Sequence, residues 1–213
     1  MKTYKVKFIK KNTKDLQEDC NSIWEKANSL LDFNSPWNNE PVKKIEFKAF
    51  HNSENIFFRF KVDDDEQYIY PSSHKNDSIN NSDRVELFFR SDSNLNPYYC
   101  LEIDTTSRIM DFEAKPNKEF DFNWNWPSKH LKVESKINSS NFIVDITISI
   151  QSLKDLSLLK DNLIETGIYR AKYNQIEDGS YEPTWITWVN PNTTSPNFHI
   201  PSSFGLLELE KNK

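Results

Sequence analysis

The sequence predicts an all-β chain: a two-layer antiparallel β-sandwich, jelly-roll or immunoglobulin-like, with one or two short helices. Three observations carry that expectation. Apolar and polar residues alternate with period two in segment after segment, the pattern of half-buried strands. Clusters of Asn, Ser, Pro and Asp interrupt those segments at short intervals, where turns are expected. Helical spacing is sparse, and several short strands with regular turn signals suit a sandwich.

Taken in order, residues 1–11 alternate Lys with apolar side chains and read as a strand; they lack the apolar run of about 7–15 residues that marks a signal peptide. Ile23, Trp24, Ala27, Leu30 and Leu31 fall at helical spacing and predict a helix over 22–31. Ile45, Phe47 and Ala49 share one strand face, and Ile56, Phe58, Phe60 and Val62 share another. Val85, Leu87 and Phe89 alternate with Arg84, Glu86, Phe88 and Arg90, while Tyr99, Leu101 and Ile103 alternate with Tyr98, Cys100, Glu102 and Asp104. Further strands are expected at 131–137, 141–148, 167–174, 185–189 and 205–209, with a helical turn or two over 152–160. Residues 63–83 and 111–130 read as long polar loops, the second carrying Phe120, Phe122, Trp124 and Trp126. No repeat or linker interrupts the chain, so residues 1–213 are expected to form a single domain.

Composition narrows the partners. Hydrophobic residues are 36% of the chain, but the 14% aromatic share supplies a core from few large side chains. A net charge of −5 offers no basic field for nucleic acid or anionic membranes. With three glycines and neither GxGxxG nor GxxxxGK, phosphate-cradling loops are absent from the sequence. No stretch approaches the roughly 18 apolar residues of a membrane helix, so the expected location is cytoplasmic by default, or secreted if a signal has been removed. Cys20 and Cys100 lack metal-site spacing and read as two free thiols.

If Val85, Leu87 and Leu101 face the core, Arg84, Glu86, Cys100 and Glu102 face the other way. On neighbouring strands Glu86 and Glu102 approach each other, and unpartnered like charges there are unfavourable. Arg84, Arg170 or Lys172, or the hydroxyl donors of a ligand, would relieve them. The competing reading is a solvated sheet face laced with ion pairs. The segments 184–191 and 195–205 offer aromatic plates and fixed polar groups, as recognition of a sugar requires. Trp185 and Trp188 are, each alone, more readily core plugs, and His199 is more readily a structural hydrogen-bonding group than a base. Asp63-Asp64-Asp65-Glu66 carries the hard oxygens calcium prefers, with Asp63 and Asp65 as candidate ligands; an acidic turn that binds nothing is the favoured alternative.

The segment Ser82-Asp83-Arg84-Val85-Glu86-Leu87-Phe88-Phe89, followed by Tyr98-Tyr99-Cys100-Leu101-Glu102-Ile103-Asp104, resembles the central strand pair of family 9-like carbohydrate-binding modules, which have a DOMON-like sandwich. The ending Trp188…Asn197-Phe198-His199-Ile200-Pro201…Phe204-Gly205-Leu206-Leu207 is similar to that family's last loop and strand, and the strand at 142–150 and Gly167-Ile168-Tyr169-Arg170 keep its order. The resemblance runs from about Trp24 to Leu209. It implies sugar recognition without catalysis, with two aromatic walls around a terminal sugar and charged sheet groups bonding its hydroxyls. It places Glu86 at the family's acidic ligand and Phe198 at one aromatic wall. The other wall, a tryptophan in the family, falls on Asn80 here; Trp124, Trp126, Tyr68 and Tyr70 are the candidate replacements. Relatives of this fold carry structural calcium, which makes the acidic turn at Asp63 and Asp65 a secondary metal candidate, with no cofactor otherwise expected.

The expected function is therefore a non-catalytic carbohydrate-binding domain using Arg84, Glu86, Glu102, Arg170, Lys172, Trp188, Phe198 and His199. One alternative is a glycoside hydrolase working through Glu86 and Glu102. Another is a protein-interaction or haem-binding sandwich, with Met110 and His199 as axial ligands.

Overall fold

The computed structural model describes residues 1–10, 20–39 and 41–211. Fourteen strands, numbered along the chain, form among these residues one curled sheet that folds over into two layers. The first layer contains β1 (Thr3–Phe8), β5 (Arg84–Arg90), β6 (Tyr98–Asp104), β7 (Ile109–Lys115), β8 (Glu119–Asp121), β11 (Leu159–Lys160), β12 (Leu163–Gln175), β13 (Tyr181–Thr187) and β14 (Gly205–Leu209). Its order is β8-β7-β6-β5-β12-β14-β1, with β11 and β13 also pairing with β12. The second contains β2 (Ser29–Leu30), β3 (Ile45–His51), β4 (Asn55–Asp63), β9 (Leu131–Ile137) and β10 (Asn141–Ser149), in the order β3-β4-β10-β9 with β2 on β3.

β1 belongs to both layers. Thr3 to Val6 pair with Leu206 to Leu209 of β14, then Lys7 and Phe8 pair with Phe50 and His51 of β3. A strand that changes sheets turns the corner of a sandwich. Both of its pairings are parallel, the exception in an otherwise antiparallel sandwich.

The predicted alternation fixes the core. Val85, Leu87, Phe89, Leu101 and Ile103 from one layer meet Phe47, Phe58, Phe60, Val144 and Ile146 from the other, all fully buried. Each such side chain contributes about 1.5–3 kcal/mol by leaving water. Trp188 and Trp126 plug the same core. β10 reads intermediate, buried, intermediate throughout, whereas β9 is an outer edge strand with Ile137 exposed.

Three short helices are present among the described residues: α1 (Cys20–Lys26), α2 (Lys75–Asn80) and α3 (Ile150–Asp155). The helical spacing read over 22–31 overruns α1. Tyr4 donates its hydroxyl to the Asn28 carbonyl at 2.5 Å and the Asn28 amide donates to the Lys5 carbonyl at 2.7 Å, so the chain is pulled onto β3 as β2. α3 starts where Ser149 accepts the Ser152 N–H at 3.0 Å, an N-cap. The expected loop over 111–130 is in part strand: Met110, Phe112 and Ala114 alternate along β7, and β8 pairs with its end. Residue 11 of the expected first strand and the Cys20 side chain lie outside the described residues; Cys100 is a buried free thiol. No helix among the described residues is long and apolar enough to cross a membrane.

Every residue of β5 and β6 is buried, on both faces. The outward face of this pair is therefore roofed rather than solvated. Ile79, Phe88, Tyr98, Cys100, Met110 and Phe112 form a second core there beneath Phe198 and Phe204.

Candidate functional site

β5 and β6 pair with Glu86 directly opposite Glu102 and Arg84 opposite Asp104. These side chains point away from Val85, Leu87, Leu101 and Ile103, as alternation requires. Arg84 Nε lies 2.9 Å from Glu86 Oε1 and 2.7 Å from Glu102 Oε2. All three residues are at most 5% exposed. The three atoms are close enough for ion pairs, yet none of them has an aligned hydrogen bond. Arg84 Nη1 instead donates to the Asn80 carbonyl at 2.7 Å, and the Trp185 ring lies 5.4 Å from the guanidinium carbon. Burial, helped by the Glu102 charge, pushes the Glu86 carboxyl up from 4.5 to about 8. Burial raises Glu102 as well, against the pull of Arg84. Burial would lower the guanidinium, but Glu102 and Glu86 outweigh it and the group is raised. The cluster thus has one cation for two carboxyl groups, and burial favours a proton shared by the pair over two full charges.

The roof explains this burial. Tyr169 on β12 is the neighbour of Glu86 on the side opposite Glu102. Phe198, expected as an open aromatic wall, is 5% exposed and lies flat on Tyr169 with ring centroids 4.1 Å apart. Trp37 and Trp185 both approach Phe198 at 5.8 Å, so its faces are consumed by packing. Tyr169 donates its hydroxyl to Ser203 Oγ at 2.8 Å, anchoring the stack. His199 Nδ1 shares a 2.9 Å hydrogen bond with the Tyr98 hydroxyl, and its ring packs on Phe88 and Phe120. Burial first, then the Lys118 and Arg84 charges, lower its pKa to about 3, so the ring is neutral. Met110 and His199 are parts of packed aromatic surroundings, Met110 being 4% exposed, and serve as packing rather than as a pair facing an open space. Trp188 is 1% exposed in the main core.

Arg170 and Lys172 do not join Glu86. Tyr169 pairs with Glu86 and Arg170 with Val85, so Arg170 and Lys172 project from the other face of β12. There Arg170 bonds Asp64, and Lys172 lies 3.0 Å from Asp83 and 3.3 Å from Asp64. Asp83 also accepts the main-chain N–H of Tyr173 at 2.5 Å and of Tyr68 at 3.1 Å. Burial raises Asp83; for Asp64 burial is overcome by Arg170 and the carboxyl is lowered. The residues of the acidic turn do not fit a calcium ion. Asp64 points inward to Arg170, Asp65 bonds Lys43, and Asp63 is exposed. Among the described residues no group of three or more His, Cys, Asp or Glu could hold a metal.

A cleft opens beyond the end of β5. β12 pairs with β5 only up to Ala171 and continues to Gln175 with β13 alone, so this hairpin projects past the sheet. Its wall meets the segment 66–70. Tyr68 and Tyr181 stack across the junction with centroids 3.6 Å apart and planes 9° from parallel. Tyr173 stands 6.2 Å from Tyr68, and its hydroxyl donates to the Asn80 carbonyl at 2.7 Å, the same oxygen that Arg84 reaches. Tyr70 is 38% exposed and Tyr181 36%. Two adjoining cavities, about 560 and 350 Å³, share Tyr68, Tyr173 and Tyr181 as walls. A third, about 390 Å³, lies by the opposite end of β4 between His51, Lys154 and Glu210.

Of the four aromatics named as replacement walls, Trp126 is a core plug bonded to Ser152 and Trp124 packs on Tyr99 at 4.8 Å. Tyr68 and Tyr70 line the cleft. Tyr173 and Tyr181 escaped the sequence reading. The signal that could have found them is Asp178-Gly179, a hairpin turn dipeptide with a tyrosine on either side.

The sequence matches the family model for carbohydrate family 9 binding domain-like proteins over residues 18–212. Among solved structures, the fold is similar to a Bacteroides uniformis protein of proposed carbohydrate-binding function, at 17% identity and a TM-score of 0.73, covering 98% of this chain and 99% of that one. It is also similar to a family 9 carbohydrate-binding module from Caldicellulosiruptor kristjanssonii in complex with glucose: 12% identity, TM-score 0.64, covering 100% of this chain and 97% of that one. A family 9 module from the same organism with cellotriose gives 14% identity and a TM-score of 0.59, covering 100% and 95%. No curated protein matches the chain.

Proposed function

This chain belongs to the carbohydrate family 9 binding domain-like family, and from that premise we propose that it binds a mono- or oligosaccharide without cleaving it. The observation that carries the second half is the Arg84 cluster. Glycoside hydrolysis needs an acid and a nucleophile or base on either side of one glycosidic bond, with the sugar between them. Here Glu86 and Glu102 both lean on one guanidinium, and Tyr169 and Phe198 seal that face. Two carboxyl groups that share one buried arginine are placed for an ion-pair cluster, which supports binding over cleavage. Glucose and cellotriose, found in the related modules, are the natural first probes.

The test is an array of neutral and acidic glycans, then calorimetry on each hit with an assay for released reducing ends. Saturable binding without product is expected. Product release that vanishes in both Glu86→Gln and Glu102→Gln would make the chain a hydrolase.

A further inference from the structure

We propose that the sugar sits in the tyrosine cleft between residues 66–70 and the β12–β13 hairpin, and that this cleft selects neutral pyranoses; the inference rests on the carbohydrate-binding reading above. It moves the contact surface off the loop that carries Phe198.

Exposed aromatic faces are the first argument. A pyranose presents an apolar C–H face, which is best matched by a ring that is held still yet open to solvent. Phe198, Trp126 and Trp188 are each at most 5% exposed and have no such face. Tyr181 has one: Tyr68 covers one side of its ring at 3.6 Å and fixes its orientation, while 36% of the residue remains exposed. The adjoining cavities, about 560 and 350 Å³, fall within the roughly 300–1,000 Å³ of ligand sites.

Polar groups give the second argument. Three carboxamides line the larger cavity with Tyr68 and Tyr181, and each is tethered through its nitrogen. Gln67 Nε2 donates to the Asp64 carbonyl, Asn174 Nδ2 to Thr184 Oγ1 at 3.0 Å, and Gln175 Nε2 to the Gly179 carbonyl at 3.4 Å. Those bonds leave the side-chain oxygens as oriented acceptors for hydroxyl donors.

Charge gives the third. Lys172 is the cation lining the cleft, and it is already committed to Asp83, Asp64 and the Glu66 carbonyl. An acidic sugar would therefore find no spare cation there, whereas a neutral polyol needs none.

The experiment titrates glucose, cellotriose and the neutral and acidic hits of an array into the wild type and into Tyr181→Ala, Tyr181→Phe, Asn174→Ala and Lys154→Ala, with a thermal melt of each. Lys154 lines the distant cavity and serves as the control. Tyr181→Ala should weaken a neutral ligand by about tenfold or more, as loss of an aromatic anchor does. Tyr181→Phe should stay near wild type, Asn174→Ala should weaken binding at an unchanged melting temperature, and Lys154→Ala should change nothing. If Tyr181→Ala misfolds, Asn174→Ala decides. A neutral sugar bound equally by the wild type, Tyr181→Ala and Asn174→Ala overturns the cleft but leaves the carbohydrate-binding reading intact. A preference for acidic sugars overturns the neutral selectivity. A wild type that binds no sugar overturns both.

Discussion

Phe198 and Tyr169 lie face to face, 7° from parallel, and that stack makes a core side chain of a residue from an Asn-, Pro- and Ser-rich loop. Tyr169 can lie low because Gly167 leaves room: a Cβ there would meet the Tyr169 hydroxyl oxygen at 2.0 Å. The roof over Glu86 thus depends on a hydrogen atom two residues earlier on the same strand.

Phe198→Ala is expected to cost about 3–5 kcal/mol, the usual range for truncating a buried aromatic. Chemical denaturation measures it. A loss within about 0.5 kcal/mol, as for an ordinary surface position, would mean that the ring is an open plate after all.

Gly167→Ala should destabilise by about 1–3 kcal/mol through overpacking, because Tyr169 must leave its place and release Phe198 and Ser203. The same change in a Tyr169→Ala background should cost far less. Equal costs in both backgrounds would show that the glycine is required for some other reason.

Glu86 predicts a pH dependence of stability. Its folded pKa is raised, from 4.5 to about 8, so it favours the folded state fully below pH 4.5 and loses that contribution as pH rises through about 8. Glu102 is raised too and adds the same sign. Melting temperatures between pH 4.5 and about 8 should therefore fall more steeply for the wild type than for Glu86→Gln. Parallel curves would mean that Glu86 is ionised in the folded protein.

How much of this was legible in the sequence depends on what each residue's position requires. The faces of β5 and β6 follow from alternation within each strand, and Val85, Leu87, Leu101 and Ile103 are buried as that pattern demands. The face that Arg170 and Lys172 occupy depends on the register of β12 against β5, set by hydrogen bonds between segments about eighty residues apart in sequence. A one-residue shift would have put them beside Glu86. β7 had a readable signal in Met110, Phe112 and Ala114, but its apolar face covers the outer surface of the sheet, not the central core. The burial of Phe198 and the exposure of Tyr181 are tertiary facts. Both are aromatic residues flanked by turn-forming sequence, and only the packing around them distinguishes a roof from a plate.

The second ion network separates structural from exposed acids. Asp64→Ala should cost about 3–5 kcal/mol because it leaves Arg170 buried without its carboxylate, while Asp65→Ala, losing only an exposed pair with Lys43, should leave the stability at its wild-type level. Calcium or a chelator should leave the wild-type melting temperature unchanged, since Arg170 and Lys172 already neutralise Asp64. A rise with calcium that Asp65→Ala abolishes would restore the metal site.

β1 also dictates an order of assembly. Its first residues, Thr3 to Val6, are paired with Leu206 to Leu209, among the most distant contacts the sequence allows, while β3 and β4 form a local hairpin. During synthesis the early strand is made first yet must wait for β14, so the seam between the layers closes after the hairpins have formed. A chain ending before Gly205 should show slow amide exchange in β3, β4 and β10 but fast exchange in β1. Full protection of β1 in that truncated chain would mean that β3 alone seats it and that the seam needs no late partner.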